Sequence, residues 1–346
     1  MVRDPMLCGR CRNPRRRLLI GAAAALALLP ARRVLAQDPP ALPTPPALRG
    51  VGINYSLWHR SDQWPTGAQA GWGTPSIGDY ASNSPAVLAT HAAWLASAGV
   101  DFIVIDWSND LGMDIRLPGG PGTQRFIETA TLALFQVWRT LAARPQVALM
   151  IGCPGDPAAI SNGALTAKAS EVHDLFAANP VYAGLLQTYL GKPLLLVYVN
   201  TPSPWAESLP PWSDPRFTVR FVTGFITQQQ TLLGAGGLSR FGYWSWEDRE
   251  VPTYAAAGGY AECMTVVAAW RGAGTPGRAN GATYLGQWAH ARAIGPRFVI
   301  AGTFNEWWIS EQIDVQHSKD VEPSRQLGWS SMTILQQQAA LFKAGR

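Results

Sequence analysis

"VDFIVIDWS" (residues 100–108) places an unbroken apolar run, Phe102 to Ile105, directly before Asp106-Trp107-Ser108. A strand apolar at every position is buried on both faces, which is the situation of strands in a parallel sheet. Working outward, runs of the same kind recur along the chain. They are "GVGINYSLW" (50–58), "QVALMIGC" (146–153), "KPLLLVYVN" (192–200), "FTVRFVTGF" (217–225), "RFGYWSWE" (240–247), "AECMTVVAAW" (261–270) and "RFVIAGTF" (297–304). Helical patterns fall between several of them, at 85–98, 124–143, 166–190 and 281–293, with another at 325–343 after the last strand. The stretches 226–239 and 248–260 are rich in Gly or Gln and show no plain helical period. Eight strands with intervening helices in about 300 residues predict an α/β fold, a single-domain (β/α)8 TIM barrel over 49–346. A doubly wound open sheet is the alternative.

The strand ends favour the barrel. Tyr55 to His59, Asp106-Trp107-Ser108, Tyr198 with Asn200, Trp244 to Glu247 and Asn305 to Trp308 are polar or aromatic. In a barrel the C-terminal strand ends meet on one face, where active sites are built.

Before the barrel, residues 1–36 read as an export signal. Arg15-Arg16-Arg17 precede an Ala-rich apolar stretch of about a dozen residues, short of the roughly 20 that span a bilayer. Paired Arg ahead of such a core is similar to a twin-arginine signal, with cleavage expected between Ala36 and Gln37. An uncleaved anchor is the alternative. Residues 37–48, "QDPPALPTPPAL", read as an extended Pro-rich linker. The expected location is periplasmic or secreted.

The formal charge is +5 over 346 residues. Eight Arg and one acid lie in the first 36 residues, leaving 20 basic and 22 acidic residues after it, of 28 and 23 in all. A basic surface for nucleic acid or anionic membrane is therefore not expected. Cys8 and Cys11 belong to the signal, and Cys153 and Cys263 read as buried thiols. No GxSxG or HExxH occurs, and the five His have no paired ligand spacing. "GAGTPG" (272–277) matches GxGxxG but opens no helical pattern, and "DVQHSKD" (314–320) reads as a hydrated loop rather than a cation site. Neither a cofactor nor a metal is expected.

Fifteen Trp, all beyond residue 36, suit a surface that stacks on the apolar faces of sugar rings. Trp64 and Trp72 lie in loops, whereas Trp94 and Trp138 fall on helical patterns and read as packing. Glycosidic bond cleavage usually needs two carboxyl groups. Asp106, Glu247, Glu306 and Glu311 all lie at or just beyond strand ends and are the candidate catalytic acids. Tyr55, Trp58, His59, Trp107, Tyr198, Trp246, Asn305, Trp307 and Trp308 are the candidate substrate-binding residues.

Three segments carry a family resemblance. "GTPSIGDYASNSPAVLATHAAWLASAGVDFIVIDWS" resembles the opening of the endo-α-1,2-mannosidase-like glycoside hydrolases, family 99 and its bacterial relatives. The matching positions are Gly78, Tyr80, Ser82, His91, Trp94 and Ala98 to Phe102. "RANGATYLGQW" resembles the helix before that family's last strand, through Arg278, Gly281, Tyr284 and Trp288. "TFNEWWISEQID" (303–314) is similar to its Phe-Asn-Glu-Trp motif, through Phe304, Asn305, Glu306, Trp307, Gln312, Ile313 and Asp314. The resemblance implies a (β/α)8 barrel that cleaves glycans with retention, with Glu306 drawing the proton from the sugar 2-hydroxyl. The family's acid/base, three residues on, falls at Ile309. Glu311 is the favoured substitute, ahead of Glu247, with Asp106 next. The expectation is an exported glycoside hydrolase acting on a poly- or oligosaccharide; the alternative is a catalytically silent barrel that binds glycan.

Overall fold

The structure, a computed structural model, describes residues 48–60, 72–109, 111–118, 122–153, 158–200, 208–246, 252–270, 274–307 and 314–346. The export signal with Cys8 and Cys11, all but the last residue of the Pro-rich linker, Trp64, and the start of "GAGTPG" lie outside these residues.

Eight parallel strands form the wall: β1 (Gly50–Tyr55), β2 (Phe102–Trp107), β3 (Gln146–Cys153), β4 (Lys192–Val199), β5 (Thr218–Thr223), β6 (Trp244–Ser245), β7 (Tyr260–Thr265) and β8 (Phe298–Thr303). Each expected run holds one of them. β1 to β6 pair in sequence order, and β8 returns to the free side of β1 with β7 beyond it. In a doubly wound open sheet the strand placed beside β1 is followed outward by later strands, whereas here the last strand lies against the first. The antiparallel piece Tyr254–Ala257 pairs with β7. Between β6 and β7 side chains bridge the seam: the Thr265 hydroxyl donates to the Ser245 carbonyl, and Trp244 Nε1 donates to Glu262 at 2.8 Å.

Alternation along the strands sorts side chains into two cores. Phe102, Val104, Ala148, Met150, Leu194, Leu196, Val222, Trp244, Phe298 and Ile300 fill the lumen. Ile103, Ile105, Val147, Leu149, Leu195 and Val197 pack outward against the helices. The lumen is therefore packed, and the apolar runs are buried on both sides as their composition requires. At Gly52 a Cβ would lie 2.5 Å from the Phe102 ring and 2.8 Å from Ile300, so glycine here makes space for the lumen aromatics.

The principal helices are α1 (Pro85–Ser97), α2 (Gly122–Trp138), α3 (Ala164–Val172), α4 (Ala282–Ile294) and α5 (Ser330–Lys343). The pattern 166–190 predicts one long helix, but α3 gives way to a wide turn at His173–Ala177 and the chain returns as a short strand, Thr188–Tyr189, beside β4. Pro180 explains the stop, because the residue before a proline is driven out of the helical region. The weak stretches 226–239 and 248–260 contain only single turns and short strands among the described residues. No helix of the described residues is long and apolar enough to cross a membrane.

Between α2 and α3 lies a buried charge cluster. Lys168 Nζ donates to Glu128 at 2.7 Å, to Glu171 at 2.8 Å and to the Met113 carbonyl, while Ile115 N–H donates to Glu171 at 3.0 Å. It clamps the loop after β2. Two carboxylates face one ammonium, and burial drives the Glu128 carboxyl well above its ordinary range despite Lys168 and Gln124. A raised folded pKa favours the protonated fold, so this contribution is complete below about pH 4.5 and lost as pH rises through the folded value. Glu128→Gln, which keeps the cluster neutral, should therefore gain on the wild type between pH 5 and pH 8. The gain expected is at least the ~1.4 kcal/mol that one pKa unit represents. Urea unfolding of both proteins across that range checks it; a pH-independent difference would refute it.

Candidate active site

The lumen-facing register continues to the C-terminal strand ends. On β1 the inward positions run Gly50, Gly52, Asn54, because Val51, Ile53 and Tyr55 belong to the outer core. On β2 they run Phe102, Val104, Asp106, and on β4 Leu194, Leu196, Tyr198. Asn54, Asp106 and Tyr198 thus stand at the mouth, where Trp246 lies 6.0 Å from Tyr198 at 70° between rings. Glu306 lies three residues beyond β8, whose Thr303 pairs with Asn54. Since β8, β1 and β2 are neighbours, the Glu306 and Asp106 ends flank the end of β1.

The two carboxyls sense each other. Burial raises the Asp106 carboxyl above the usual range, and the charge on Glu306 raises it further, against the lowering effect of hydrogen bonds from Ser108. The Ser108 amide donates to Asp106 at 2.7 Å. Ser108 has its own fixed place, since its carbonyl would lie 1.9 Å from a Cβ on Gly152. Glu306 is 5% exposed and carries an ion pair with Lys319 at 3.3 Å.

The residues that fix Glu306 come from 318–322, a segment that begins within the 314–320 stretch read from sequence as a hydrated loop. This segment folds back under the end of β8: Val321 N–H donates to the Thr303 and Phe304 carbonyls, both at 3.1 Å, and Glu322 N–H to Phe304 at 2.8 Å. Asp320, 1% exposed, accepts the amides of Glu306 and Trp307, both at 2.7 Å, and the Trp72 indole N–H at 2.6 Å. Glu322 accepts from Tyr80 at 2.8 Å, from His91 Nε2 at 3.0 Å and from the Trp307 indole. The other ring nitrogen of His91, Nδ1, meets the Tyr55 hydroxyl at 2.7 Å. Nothing in "HSKDVEP" marks these acids as buried, because their partners lie far away in sequence.

Several residues expected to meet substrate are committed elsewhere. Tyr55 points outward by alternation, stacks on Phe304 at 5.8 Å and is held by His91; burial and Glu322 keep its hydroxyl protonated. Trp107 also faces the helices, donating to Thr131 at 2.9 Å with Lys168 5.3 Å from its ring centre. His59 is fully buried and its pKa falls to about 3 through burial, so its neutral ring donates Nε2–H to the Asn305 carbonyl at 2.7 Å. Asn305 uses its amide as a latch, accepting from Ser56 N–H at 2.8 Å and donating to the Ser56 carbonyl and Tyr80, both at 3.0 Å. Trp307 is buried against Trp72, the rings stacked 4.7 Å apart and nearly parallel. Trp58 packs on the outer core, its buried indole N–H meeting no partner among the described residues. Asp106, Glu306, Tyr198 and Trp246 are brought together at the mouth, joined by Asn54, which alternation along β1 marks. Glu247, Trp308, Ile309 and Glu311 lie outside the described residues. Among the described residues no cluster of three or more His, Cys, Asp or Glu could hold a metal.

No protein-family model matches the chain, and no curated protein matches it. Solved structures do. The GH99 endo-alpha-mannosidase from Bacteroides thetaiotaomicron is 16% identical with a TM-score of 0.56, the match covering 86% of this chain and 98% of that one. Its complex with bis-tris-propane matches over the same shares at 16% identity with a TM-score of 0.57. At this identity the likeness is one of architecture: the chain is a (β/α)8 barrel of the kind seen in the GH99 endo-alpha-mannosidase.

Proposed function

We propose that the protein is an exported glycoside hydrolase that cleaves a poly- or oligosaccharide with retention, using Glu306 and Asp106 as its carboxyl pair. The observation that carries this reading is the placement of the two acids at one barrel mouth in opposite electrostatic settings. Glu306 is paired with an ammonium, while Asp106 is pushed toward its protonated form. Titratable pairs in divergent surroundings divide into base and acid.

Strand ends two positions apart in a sheet are separated by about 10 Å, which leaves room for a sugar ring between them. Glu306 takes the proton of the 2-hydroxyl as O2 attacks C1. The bond from C1 to the leaving oxygen breaks, and Asp106 delivers its proton to that oxygen. Water then opens the epoxide-like intermediate with the proton transfers reversed, so the configuration at C1 is retained. Tyr198 and Trp246 offer ring faces to the sugar. Asp106 here takes the role that the sequence alone favours for Glu311.

Proton NMR of the products released from a panel of α-glycans tests the reaction, retention at the new anomeric centre being expected. Binding without cleavage would favour the silent barrel, the reading that Ile309 motivates. Export is tested separately: mass spectrometry of the secreted protein should find Gln37 at its N-terminus, and an intact Met1 would count against it.

A further inference from the structure

Glu306 sits on backbone that would not hold its shape unaided. The next residue, Trp307, has φ of +61°, in the left-handed region that side chains other than glycine seldom adopt. Such strain persists only where surrounding structure imposes it. Successive amides around a left-handed residue form a concave nest suited to an anion. The anion here is Asp320. Its Oδ1 accepts from Glu306 N–H at 2.7 Å and from the Thr303 hydroxyl at 3.1 Å. Its Oδ2 accepts from Trp307 N–H at 2.7 Å, Trp72 Nε1–H at 2.6 Å and the Ser318 hydroxyl at 3.5 Å. Arg278, stacked on Trp72 at 5.6 Å, donates to the Asp320 carbonyl and anchors the segment from below.

We propose that Asp320 is the positioning residue of this site, its carboxylate filling the nest of the Glu306 and Trp307 amides and so fixing where the Glu306 carboxylate stands. The inference rests on the reading of Glu306 as the reacting base. Three of the five contacts are N–H groups that can only donate, from Glu306, Trp307 and Trp72, so the arrangement favours the ionised form of Asp320. The charged groups around it are Glu306, the preceding residue Lys319, whose ammonium pairs with Glu306, and Arg278 at the Asp320 carbonyl. Burial and the Glu306 charge push the Asp320 carboxyl up to about 7, against the donors that lower it. The nest should therefore be tight above neutrality and slack below it. Asp320 then sets the acid limb of the pH–rate profile.

Two kinds of experiment test this. Crystal structures at pH 5 and pH 8 need no activity: at pH 5 Trp307 should leave the left-handed region and the Glu306 carboxylate should shift by about 1 Å. A displacement of that size typically costs around 100-fold in rate. Asp320→Asn should accordingly lower kcat about 100-fold while KM changes less than threefold. Trp72→Phe keeps the ring stack but removes one donor to Oδ2, so it should move the acid limb to higher pH, which a purely structural role would not do. An unchanged Glu306 and Trp307 at both pH values, or an acid limb unmoved in Trp72→Phe, would overturn the proposal. If the wild type cleaves no glycan, the functional reading fails while the two crystal structures still decide the positioning.

Discussion

Glu306→Gln should lower kcat/KM on any glycan or aryl glycoside the protein cleaves by 10²–10⁴-fold, the usual cost of losing a catalytic acid or base. The substitution keeps the shape of the side chain and the backbone bonds to Asp320, and removes the proton-accepting charge. It also removes the carboxylate that pairs with the Lys319 ammonium, 3% exposed. Breaking a buried pair by removing one member can itself cost several kcal/mol, so lost activity alone would be ambiguous. The double variant Glu306→Gln, Lys319→Met resolves this. It should recover most of the melting temperature lost by the single variant and none of the activity. Turnover within a few-fold of wild type in Glu306→Gln, or activity regained with the melting temperature, would end the assignment.

Asp106→Asn should separate substrates by their leaving groups. A natural glycan departs as a poor leaving group and needs the proton of Asp106, so its cleavage should fall by 10²-fold or more. An aryl glycoside with an acidic phenol needs no proton and should be cleaved within a few-fold of the wild-type rate. The pH profile gives a second reading. Because burial and Glu306 raise the Asp106 carboxyl, it keeps its proton to higher pH than an ordinary Asp, and activity on the natural glycan is lost as pH rises through that raised value. The alkaline limb should therefore be absent when Asp106→Asn acts on the aryl glycoside. Equal loss on both substrates would remove Asp106 from the donor role. Glu311→Ala and Glu247→Ala, measured on the same pair of substrates, would then identify which acid replaces it.

The barrel was legible because its strands are solvated on neither face, so Phe102 to Ile105 and Leu194 to Val197 are apolar without a break. The same continuity hides which residues look into the lumen. Only the two-residue period resolves that, and it separates Asp106 from Trp107 and Asn54 from Tyr55, neighbours that an argument from strand ends treats alike. The overlong helix after β3 reflects apolar spacing carried through Pro180, where backbone sterics outweigh the pattern. Asp320 and Glu322 were illegible for another reason. Their burial is produced by Trp72, Tyr80, His91 and Trp307, partners brought in by the fold, and a polar heptapeptide carries no trace of them. His59 and Asn305 read as sugar ligands for the converse reason: polar residues beside a site look alike whether they face it or hold it together.

The seam between β6 and β7 makes this sheet a ribbon joined at its ends, and the joint differs in kind from the wall. Across the wall, backbone ladders tie each strand to the next, and no substitution can delete a backbone donor except proline. Between β6 and β7 themselves, the Thr265 hydroxyl and the Trp244 indole bridge the joint, beside the short ladder of Leu238–Ser239 with Tyr254–Ala257, and either side chain can be lost in a single codon. The wall is therefore robust to sequence drift and the joint is not.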